Sequence, residues 1–260
     1  MKIIKIISVL VVSSIILCST SCGLNPIYNN SVKQQMLDYL HKKYNQDFEI
    51  IKYYPQPLID GPSYDRAIAC LKADKSRHFT IITGDKDSKF RDGYVFNLVE
   101  KNFDNYIQTL AEGLNMKVKV KTQVTETLDV TYLNYDKNKT YDYNTLNATD
   151  KERGITMDTY MYIDVKEPIN PAEHVDAIAK LLKNLKDNNI DCDVCFMLIN
   201  DTQFDDFNLD TFTNHSFDNK KLIQGREYFS REYVRDIKDT ENLASNILTN
   251  MTKNYQNNNE

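Results

Sequence analysis

The sequence predicts an α+β fold, and three observations support this class. Two stretches in the first half repeat apolar residues at helical spacing, several shorter stretches read as strands, and a strand–helix–strand pattern follows in the second half. The predicted order is an N-terminal helix, an antiparallel β-meander and a second helix, followed by a β-α-β unit and a C-terminal helix.

The first half supplies the two helices and the meander. Val32, Met36, Leu40 and Tyr44 recur every four residues and predict a helix over 32–44. A second amphipathic helix is predicted over 94–112, and Gly113 suits its C-terminal cap. Strands are predicted over 48–54, 64–73, 78–83 and 116–126, with a polar loop at 85–93.

The second half carries the β-α-β signal. Residues 155–165 alternate as a strand, Asn170 and Glu173 form a capping box, and an amphipathic helix follows. The apolar run IDCDVCFMLI, residues 190–199, predicts the next strand. Leu243 and Ile247 mark a last helix, whereas residues 201–225 are aromatic but irregular.

The N-terminus has the features of an export signal. Lys2 and Lys5 precede an apolar stretch over 6–17, which is shorter than the about 20 residues that span a bilayer. Ser19-Thr20-Ser21 then precedes Cys22, as in a bacterial lipobox. We expect Cys22 to carry acyl chains such as palmitate and to anchor the protein on the extracytoplasmic face of the cell membrane. The alternative is ordinary secretion, with Cys22 as a free thiol or half of a disulfide.

Composition limits the function classes. Cleavage before Cys22 removes Lys2 and Lys5 and no acidic residue, so the formal charge changes from −5 to −7. An acidic chain argues against a nucleic-acid partner. The scarcity of glycine argues against a phosphate-cradling loop. We expect no cofactor, and as partners the bilayer, through Cys22, and an envelope protein or polymer.

The predicted organisation has two lobes. Residues 134–154 form a long polar stretch with no regular period, so they predict a linker or mobile loop. If they are packed instead, they become the leading candidate for a structured binding loop. One continuous sheet is the alternative to two lobes. The predicted segments are a signal peptide at 1–21, a tether at 22–30, lobes at 31–133 and 155–260, and the linker between them.

The pair Cys192 and Cys195 has the spacing of a redox dithiol or of half a zinc site. The pair follows a helix and lies in an apolar strand, where residues three apart point to opposite faces. The sequence therefore favours two buried strand cysteines. A disulfide from Cys70 to either of them stays open, because pairing is not readable from sequence.

Two charged stretches are candidate binding sites. Asp201, Asp205, Asp206 and Asp210 form an acidic run that is a candidate calcium site, with a solvated surface as the alternative. The lysines at 117, 119 and 121 share one face of a predicted strand. They suit anionic polymers or headgroups, or else form the solvent side of an edge strand, where lysines discourage aggregation.

The stretches MLDYLHKKYNQDFEII, YDRAIACLKAD and DGYVFNLVEKNFDNYI resemble small uncharacterised surface lipoproteins of low-GC Gram-positive bacteria. The resemblance covers about residues 31–112 and implies a surface-anchored accessory role, with no catalytic residue. The sequence thus favours a membrane-anchored binding or interaction module at the cell envelope. The alternative is an envelope accessory enzyme, a hydrolase or thiol-redox protein, with its site near Cys192 and Cys195 or the 201–210 acidic run.

Overall fold

The computed structural model divides into two compact units and confirms the α+β class. Unit 1 comprises residues 1–94 and 134–137, and unit 2 comprises residues 95–133 and 138–260. The described residues are 26–56, 64–84, 90–125, 135–145, 156–166, 170, 172–207, 209, 223–229, 234, 243–247 and 249.

In the described residues of unit 1 there are one helix and a four-stranded sheet. The strand order is β1-β2-β3-β4, and every neighbouring pair is antiparallel, which confirms the predicted meander. The short strand β4 lies in a stretch that the sequence predicts to be a loop. The elements are α1 (Pro26–Tyr44), β1 (Phe48–Tyr54), β2 (Arg66–Leu71), β3 (Asp74–Thr83) and β4 (Phe90–Asp92).

Helix α1 begins earlier than the sequence predicts. Residues 26–30, which were predicted as part of the tether, are helical, and Pro26 is the first residue of the helix. Proline suits this position because its ring sets the helical φ and its missing N–H would have no intrahelical partner. The rest of the predicted tether, residues 22–25, lies outside the described residues.

Aromatic rings dominate the core of unit 1. Tyr44 at the end of α1 lies 5.9 Å from Phe48 and 4.7 Å from Tyr94, between ring centroids. Phe79 of β3 lies 5.7 Å from Phe48 and 5.3 Å from Tyr94. These rings join the end of α1 to the sheet, as edge-on and tilted aromatic contacts do in protein cores.

A buried carboxylate, Asp92, lies at the end of β4 and is 1% exposed. Its Oδ2 accepts hydrogen bonds from Lys43 Nζ at 2.7 Å and from Tyr39 Oη at 3.0 Å. Its Oδ1 accepts from Tyr44 Oη at 2.6 Å and from the Tyr94 amide at 3.1 Å. Burial, followed by the charge of Asp92, raises the pKa of Tyr39, so this hydroxyl stays a donor. Four donors therefore compensate the burial of one negative charge.

Unit 2 is built on a four-stranded mixed sheet of order β5-β6-β7-β8. Strands β6 and β7 are parallel and are joined through α3, which confirms the predicted β-α-β unit, while β5 and β8 pair antiparallel at the edges. The elements are α2 (Tyr94–Gly113, of which Tyr94 belongs to unit 1), β5 (Val118–Thr125), β6 (Thr156–Val165), α3 (Ala172–Asp187), β7 (Asp193–Asn200), α4 (Asp201–Phe204) and β8 (Ile223–Phe229).

Helices α2 and α3 end in the same motif. Asn115 and Asn189 have φ values of 59° and 53°, in the left-handed region. After α2, the Met116 amide donates to the Ala111 carbonyl at 2.9 Å; after α3, the Ile190 amide donates to the Leu185 carbonyl at 2.9 Å. These are Schellman motifs. The predicted cap at Gly113 is therefore wrong: asparagine two residues later takes the left-handed position.

The division into units differs from the predicted boundary at 134–154. Strand β5 was predicted to belong to the first lobe, but Val118 to Thr125 pair with the opposite residues of β6, so β5 belongs to the second sheet. Helix α2 is hydrogen-bonded to β5 and belongs to the same unit. Its residues Glu100 and Asp104 accept hydrogen bonds from the Val124 and Thr122 amides at 2.9 and 2.7 Å. These carboxylates satisfy two N–H groups on the open edge of β5.

Three further elements are described in unit 2. Helix α4 lies within residues 201–225, which were described from the sequence only as irregular, and strand β8 begins at the end of that region and continues to Phe229, beyond any predicted element. Asn200 caps α4 by accepting from the Thr202 amide at 3.0 Å. Residues 243–247 are helical, as predicted, and Leu243 and Ile247 are buried.

Candidate functional site

Unit 2 contains a cleft of about 260 Å³ that is partly open to solvent. Three stretches of chain bring its walls together: the middle of α2, residues 142–144, and the residues that follow α3. The described lining residues are mostly aromatic or amide side chains, namely Asn102, Phe103, Tyr106, Asp142, Tyr143, Asn144, Asn188 and Ile190.

Hydrogen bonds hold the two tyrosine rings of the cleft in place. The Tyr106 hydroxyl donates to Asn184 Oδ1 of α3 at 2.8 Å. The Tyr143 hydroxyl donates to the Asn189 carbonyl at 3.1 Å and accepts from the Asp191 amide. Burial raises the pKa of Tyr106, which keeps its hydroxyl protonated. The described partners of both hydroxyls, Asn184, Asn189 and Asp191, are not lining residues. The two tyrosines therefore contribute mainly their rings to the cleft.

The third ring, Phe103, forms the floor and is 2% exposed. Its centroid lies 5.9 Å from that of Tyr106 and 6.2 Å from that of Tyr143. The interplanar angles are 33° and 37°, so neither tyrosine ring stands perpendicular to the floor. The cleft is therefore lined on one side by ring surface from Tyr106 and Tyr143 packed against Phe103.

The polar groups of the cleft are three amides and one carboxylate. Asn102 Nδ2 donates to the Tyr141 carbonyl at 2.6 Å, and Asn188 Nδ2 donates to the Asn184 carbonyl at 2.9 Å. Asp142 Oδ1 accepts from the Thr145 amide at 3.2 Å and so begins the helical turn at 143–145. Asn144 is exposed on that turn. The described lining includes no lysine, arginine or histidine.

The wall formed by residues 142–144 belongs to the stretch 134–154, which was predicted as a linker or mobile loop. In its described part, 135–145, residues 136–140 are exposed, whereas Tyr141 is 4% exposed and the Tyr135 ring lies 4.5 Å from that of Tyr44. Residues 146–154 lie outside the described part. The tyrosines at 135, 141 and 143 were the feature of the sequence that could have indicated packing in this stretch. They have no period because each one fills a separate contact, whereas a regular helix or strand would space them evenly.

Cys192 and Cys195 are 0% and 2% exposed, as the sequence predicts, but the strand begins at Asp193, later than the predicted residue 190, so only Cys195 lies in it. Cys192 directly precedes β7, and Cys195 packs in a cluster with Tyr162, Met197 and Phe204. Burial, reinforced by Asp193 and Asp191, raises the pKa of the Cys192 thiol well above its ordinary value. A reactive cysteine requires the opposite shift. None of the three described cysteines, Cys70, Cys192 and Cys195, forms a disulfide.

We expect slow alkylation of Cys70, Cys192 and Cys195 in the folded protein. Burial and the nearby Glu49 carboxylate raise the pKa of Cys70 to about 11, so little thiolate forms at neutral pH. Mass spectrometry of tryptic peptides after timed alkylation would resolve each site. Lys180→Cys, on the exposed side of α3, serves as the fast control. Modification of Cys192 at the rate of this control would contradict the buried assignment.

The acidic run lies partly in helix α4 and partly in the residues that follow it. Asp201 lies in the first turn of α4, and Asp205 follows α4 and accepts from Lys117 Nζ at 3.0 Å. Asp206 is exposed, and Asp210 lies outside the described residues. Within the described ranges, no group of three or more His, Cys, Asp or Glu residues is arranged to hold a metal ion. The calcium site therefore stays a prediction without a described ligand cluster.

The lysine face of β5 is only partly open to solvent. Lys117 is exposed and pairs with Asp164 and Asp205 at 2.9 and 3.0 Å. Lys119 Nζ instead donates to the carbonyls of Phe204, Asp205 and Phe207 at 2.6, 2.9 and 2.9 Å. Lys121 is buried at 6% exposure, so the prediction that it faces outward is wrong. Strand β5 is an edge strand, as the second interpretation required, but the 201–207 segment covers its lysine face.

The lipidation candidate, Cys22, lies outside the described residues, as does the rest of the predicted signal peptide. Among the helices that the structure describes, none combines the length and the apolar character needed to cross a membrane.

The fold and the cleft together define an α+β protein of two units with a small preformed cleft in the second. Neither a family model nor a curated protein matches the sequence. The chain is similar to the crystal structure of a DUF5037 family protein from Ruminococcus gnavus ATCC 29149, at 2.55 Å resolution, with a TM-score of 0.52 and 14% sequence identity. The similarity covers 84% of this chain and 99% of that chain. At this identity it indicates a shared fold only.

Proposed function

We propose that this chain is a membrane-anchored lipoprotein on the extracytoplasmic face, and that unit 2 acts as a binding module at the cell envelope. The observation that carries the proposal is the cleft whose tyrosine rings are fixed by hydrogen bonds to α3 and to the residues after it. A cleft that is rigid before the ligand arrives loses less conformational entropy on binding. A small pocket with a few convergent polar groups is the usual form of a ligand site.

The sequence at Cys22 supports the anchor. An apolar stretch that is too short to span the bilayer ends at Ser19-Thr20-Ser21-Cys22. Each buried methylene of an acyl chain contributes about 0.8 kcal/mol, and two or more chains give stable anchoring where one does not. Helix α1 then begins at Pro26, only a few positions after Cys22, so unit 1 would lie close to the membrane surface.

The alternative of an accessory enzyme finds less support in the described residues. The thiol-redox version needs an accessible thiolate, but Cys192 is buried and its pKa is raised. The version centred on the acidic run needs convergent carboxylates, but Asp205 is held by Lys117 and Asp201 belongs to the first turn of α4. We therefore favour the binding module.

Replacing Cys22 with Ala is expected to abolish acylation and to move the protein from the membrane fraction to the soluble or secreted fraction. The physical reason is that the lipid would be attached to the Cys22 thiol, which alanine lacks. Incorporation of a labelled fatty acid, followed by fractionation, measures both effects. Cys18→Ala is the matched control and should stay labelled and anchored. Wild-type protein that is secreted without label would exclude the anchor.

A further inference from the structure

The apolar part of the cleft consists of ring faces. Tyr106 and Tyr143 are half-buried, and their hydroxyls are bonded to Asn184 and to the Asn189 carbonyl. Phe103 lies behind them as the floor. Such a surface favours a ligand that has a flat apolar face of its own, because contact along that face removes the largest area from water.

The polar part of the cleft is matched to hydroxyl groups. Asn102, Asn144 and Asn188 bring three amides, and an amide can both donate and accept hydrogen bonds. A hydroxyl group also donates and accepts hydrogen bonds, so an amide and a hydroxyl can pair although neither is charged. Asn102 Nδ2 donates to the Tyr141 carbonyl, and Asn188 Nδ2 donates to both the carbonyl and Oδ1 of Asn184, which fixes the direction of each side chain. Asn188 can therefore pair with a ligand hydroxyl through its Oδ1, as an acceptor. The arrangement therefore suits a ligand with several hydroxyls around its edge.

The charge of the cleft disfavours anions. Asp142 supplies the carboxylate, and the described lining has no cationic side chain to neutralise a phosphate or a second carboxylate. An ionised carboxylate accepts hydrogen bonds from adjacent hydroxyls of a neutral ligand. Asp142 therefore repels an anion and favours a polyol.

A quaternary ammonium ion fits the same cleft less well. Cation recognition by aromatic residues places the charge over ring faces, and a cage surrounds it with rings on several sides. Here the two tyrosine rings are inclined to Phe103 by 33° and 37°, so neither stands perpendicular to Phe103 as the wall of a cage above it would. This geometry favours a flat ligand over a spherical cation.

We propose that the cleft binds one ring of a neutral saccharide, whose apolar face packs on the tyrosine rings and whose hydroxyls pair with the amides and Asp142. The volume of about 260 Å³ is below the range of about 300–1,000 Å³ typical of pockets for drug-sized ligands. Because the cleft is partly open, the remainder of an oligosaccharide can continue into solvent. The inference rests on the proposed function and names the chemistry of the envelope ligand.

Calorimetric titration of the full-length protein tests the proposal. The protein is purified in a polyoxyethylene detergent, because a detergent with a sugar or choline headgroup would compete. The neutral probes are cellobiose, maltose and diacetylchitobiose; glucose 1-phosphate and tetramethylammonium chloride test the anion and the cation. We expect at least one neutral probe to bind with a Kd of about 1 mM or tighter, and neither charged probe to do so. No binding by any neutral probe, or tighter binding of a charged one, overturns the proposal.

Substitutions at two positions of the cleft locate the binding. Asn144→Ala removes an exposed amide, and Tyr106→Leu removes a ring; each is expected to weaken binding about tenfold, and Tyr106→Phe less than Tyr106→Leu. Asn105→Ala, an exposed asparagine of α2 outside the lining, is the matched control and should bind like the wild type. Thermal unfolding of each variant checks that the fold is kept. Saccharide binding that neither Asn144→Ala nor Tyr106→Leu weakens would place the site elsewhere and overturn the proposal.

The source of the saccharide is distinguished by chain length. If the ligand is an envelope polymer, affinity should rise from a monosaccharide to a tetrasaccharide of the best series; if it is a free sugar, the monosaccharide should bind as tightly as the longer members. Both results support the cleft assignment. The Cys22→Ala variant should bind the saccharide like the wild type, because the anchor is not part of the cleft. A failure of anchoring therefore leaves the saccharide result unchanged, and the two proposals fail separately.

Discussion

Replacing Asp92 with Asn is expected to lower the free energy of unfolding of unit 1 by about 3–5 kcal/mol, the usual cost of removing one partner of a buried ion pair. The carboxylate is 1% exposed and accepts four hydrogen bonds. In asparagine one oxygen becomes an NH₂ group, which cannot accept from the donors that face it. The ammonium of Lys43, whose side chain is 21% exposed, also loses its counter-charge, whichever way the amide faces.

Denaturant unfolding followed by tyrosine fluorescence measures this effect, since the chain has 17 Tyr and no Trp. Hydrogen exchange of the α1 and β1 amides assigns the loss to unit 1. Asp38→Asn is the matched control in the same unit: Asp38 is exposed and accepts from Gln34 Nε2 at 2.8 Å, so we expect a change of less than about 0.5 kcal/mol. Equal effects of the two substitutions would mean that the Asp92 network does not stabilise unit 1.

Replacing Lys119 with Met is expected to cost about 2 kcal/mol or more in unit 2, because hydrogen bonds to charged groups contribute about 1.5–3 kcal/mol. The ammonium donates to three carbonyls, at 2.6, 2.9 and 2.9 Å, at the C-terminal end of α4. It also lies 5.1 Å from the centroid of the Phe204 ring. Methionine keeps the apolar stem but leaves the three carbonyls without this donor. Release of the 201–207 segment would then expose Phe204 and Phe207.

Hydrogen exchange in residues 201–207 and denaturant unfolding of Lys119→Met measure the loss. Lys183→Met is the control, because Lys183 pairs with Asp187 on the exposed face of α3 and such pairs contribute about 0.3–0.5 kcal/mol. Unchanged protection of residues 201–207 in Lys119→Met would show that the apolar contacts of Phe204 and Phe207 are sufficient to hold the segment.

Most regular elements could be predicted from local pattern. The strand at Phe48–Tyr54 was predicted with its observed bounds, and the helix at Tyr94–Gly113 within one residue. Both have an apolar stripe that is visible within a short window. The strand Ile223–Phe229 and the helix Asp201–Phe204 were missed. The helix is too short to show a period, and the strand is stabilised by pairing with β7.

The candidate cleft could not be predicted, because its residues are far apart in the chain. Tyr106 and its hydrogen-bond partner Asn184 are 78 positions apart in the sequence, and Tyr143 and its partner Asn189 are 46 positions apart. None of these residues forms a motif with its neighbours. The clearest local motif, Cys192 with Cys195, was correctly predicted to be buried, since its context was apolar, although only Cys195 lies within the strand.

The sequence by itself determined the α+β class, the β-α-β unit, the burial of the two cysteines and the prediction of an anchor at Cys22. Each depends on spacing or context within a short window of the chain. Only the tertiary structure decided that β5 pairs with β6, that Lys119 binds the end of α4, and that residues 142–144 line a cleft. The physical reason is that strand pairing and side-chain capping depend on which groups are close in space, and these groups are far apart in the sequence. A polar stretch without a period therefore looks like a linker until its tyrosines and asparagines meet their partners in the fold.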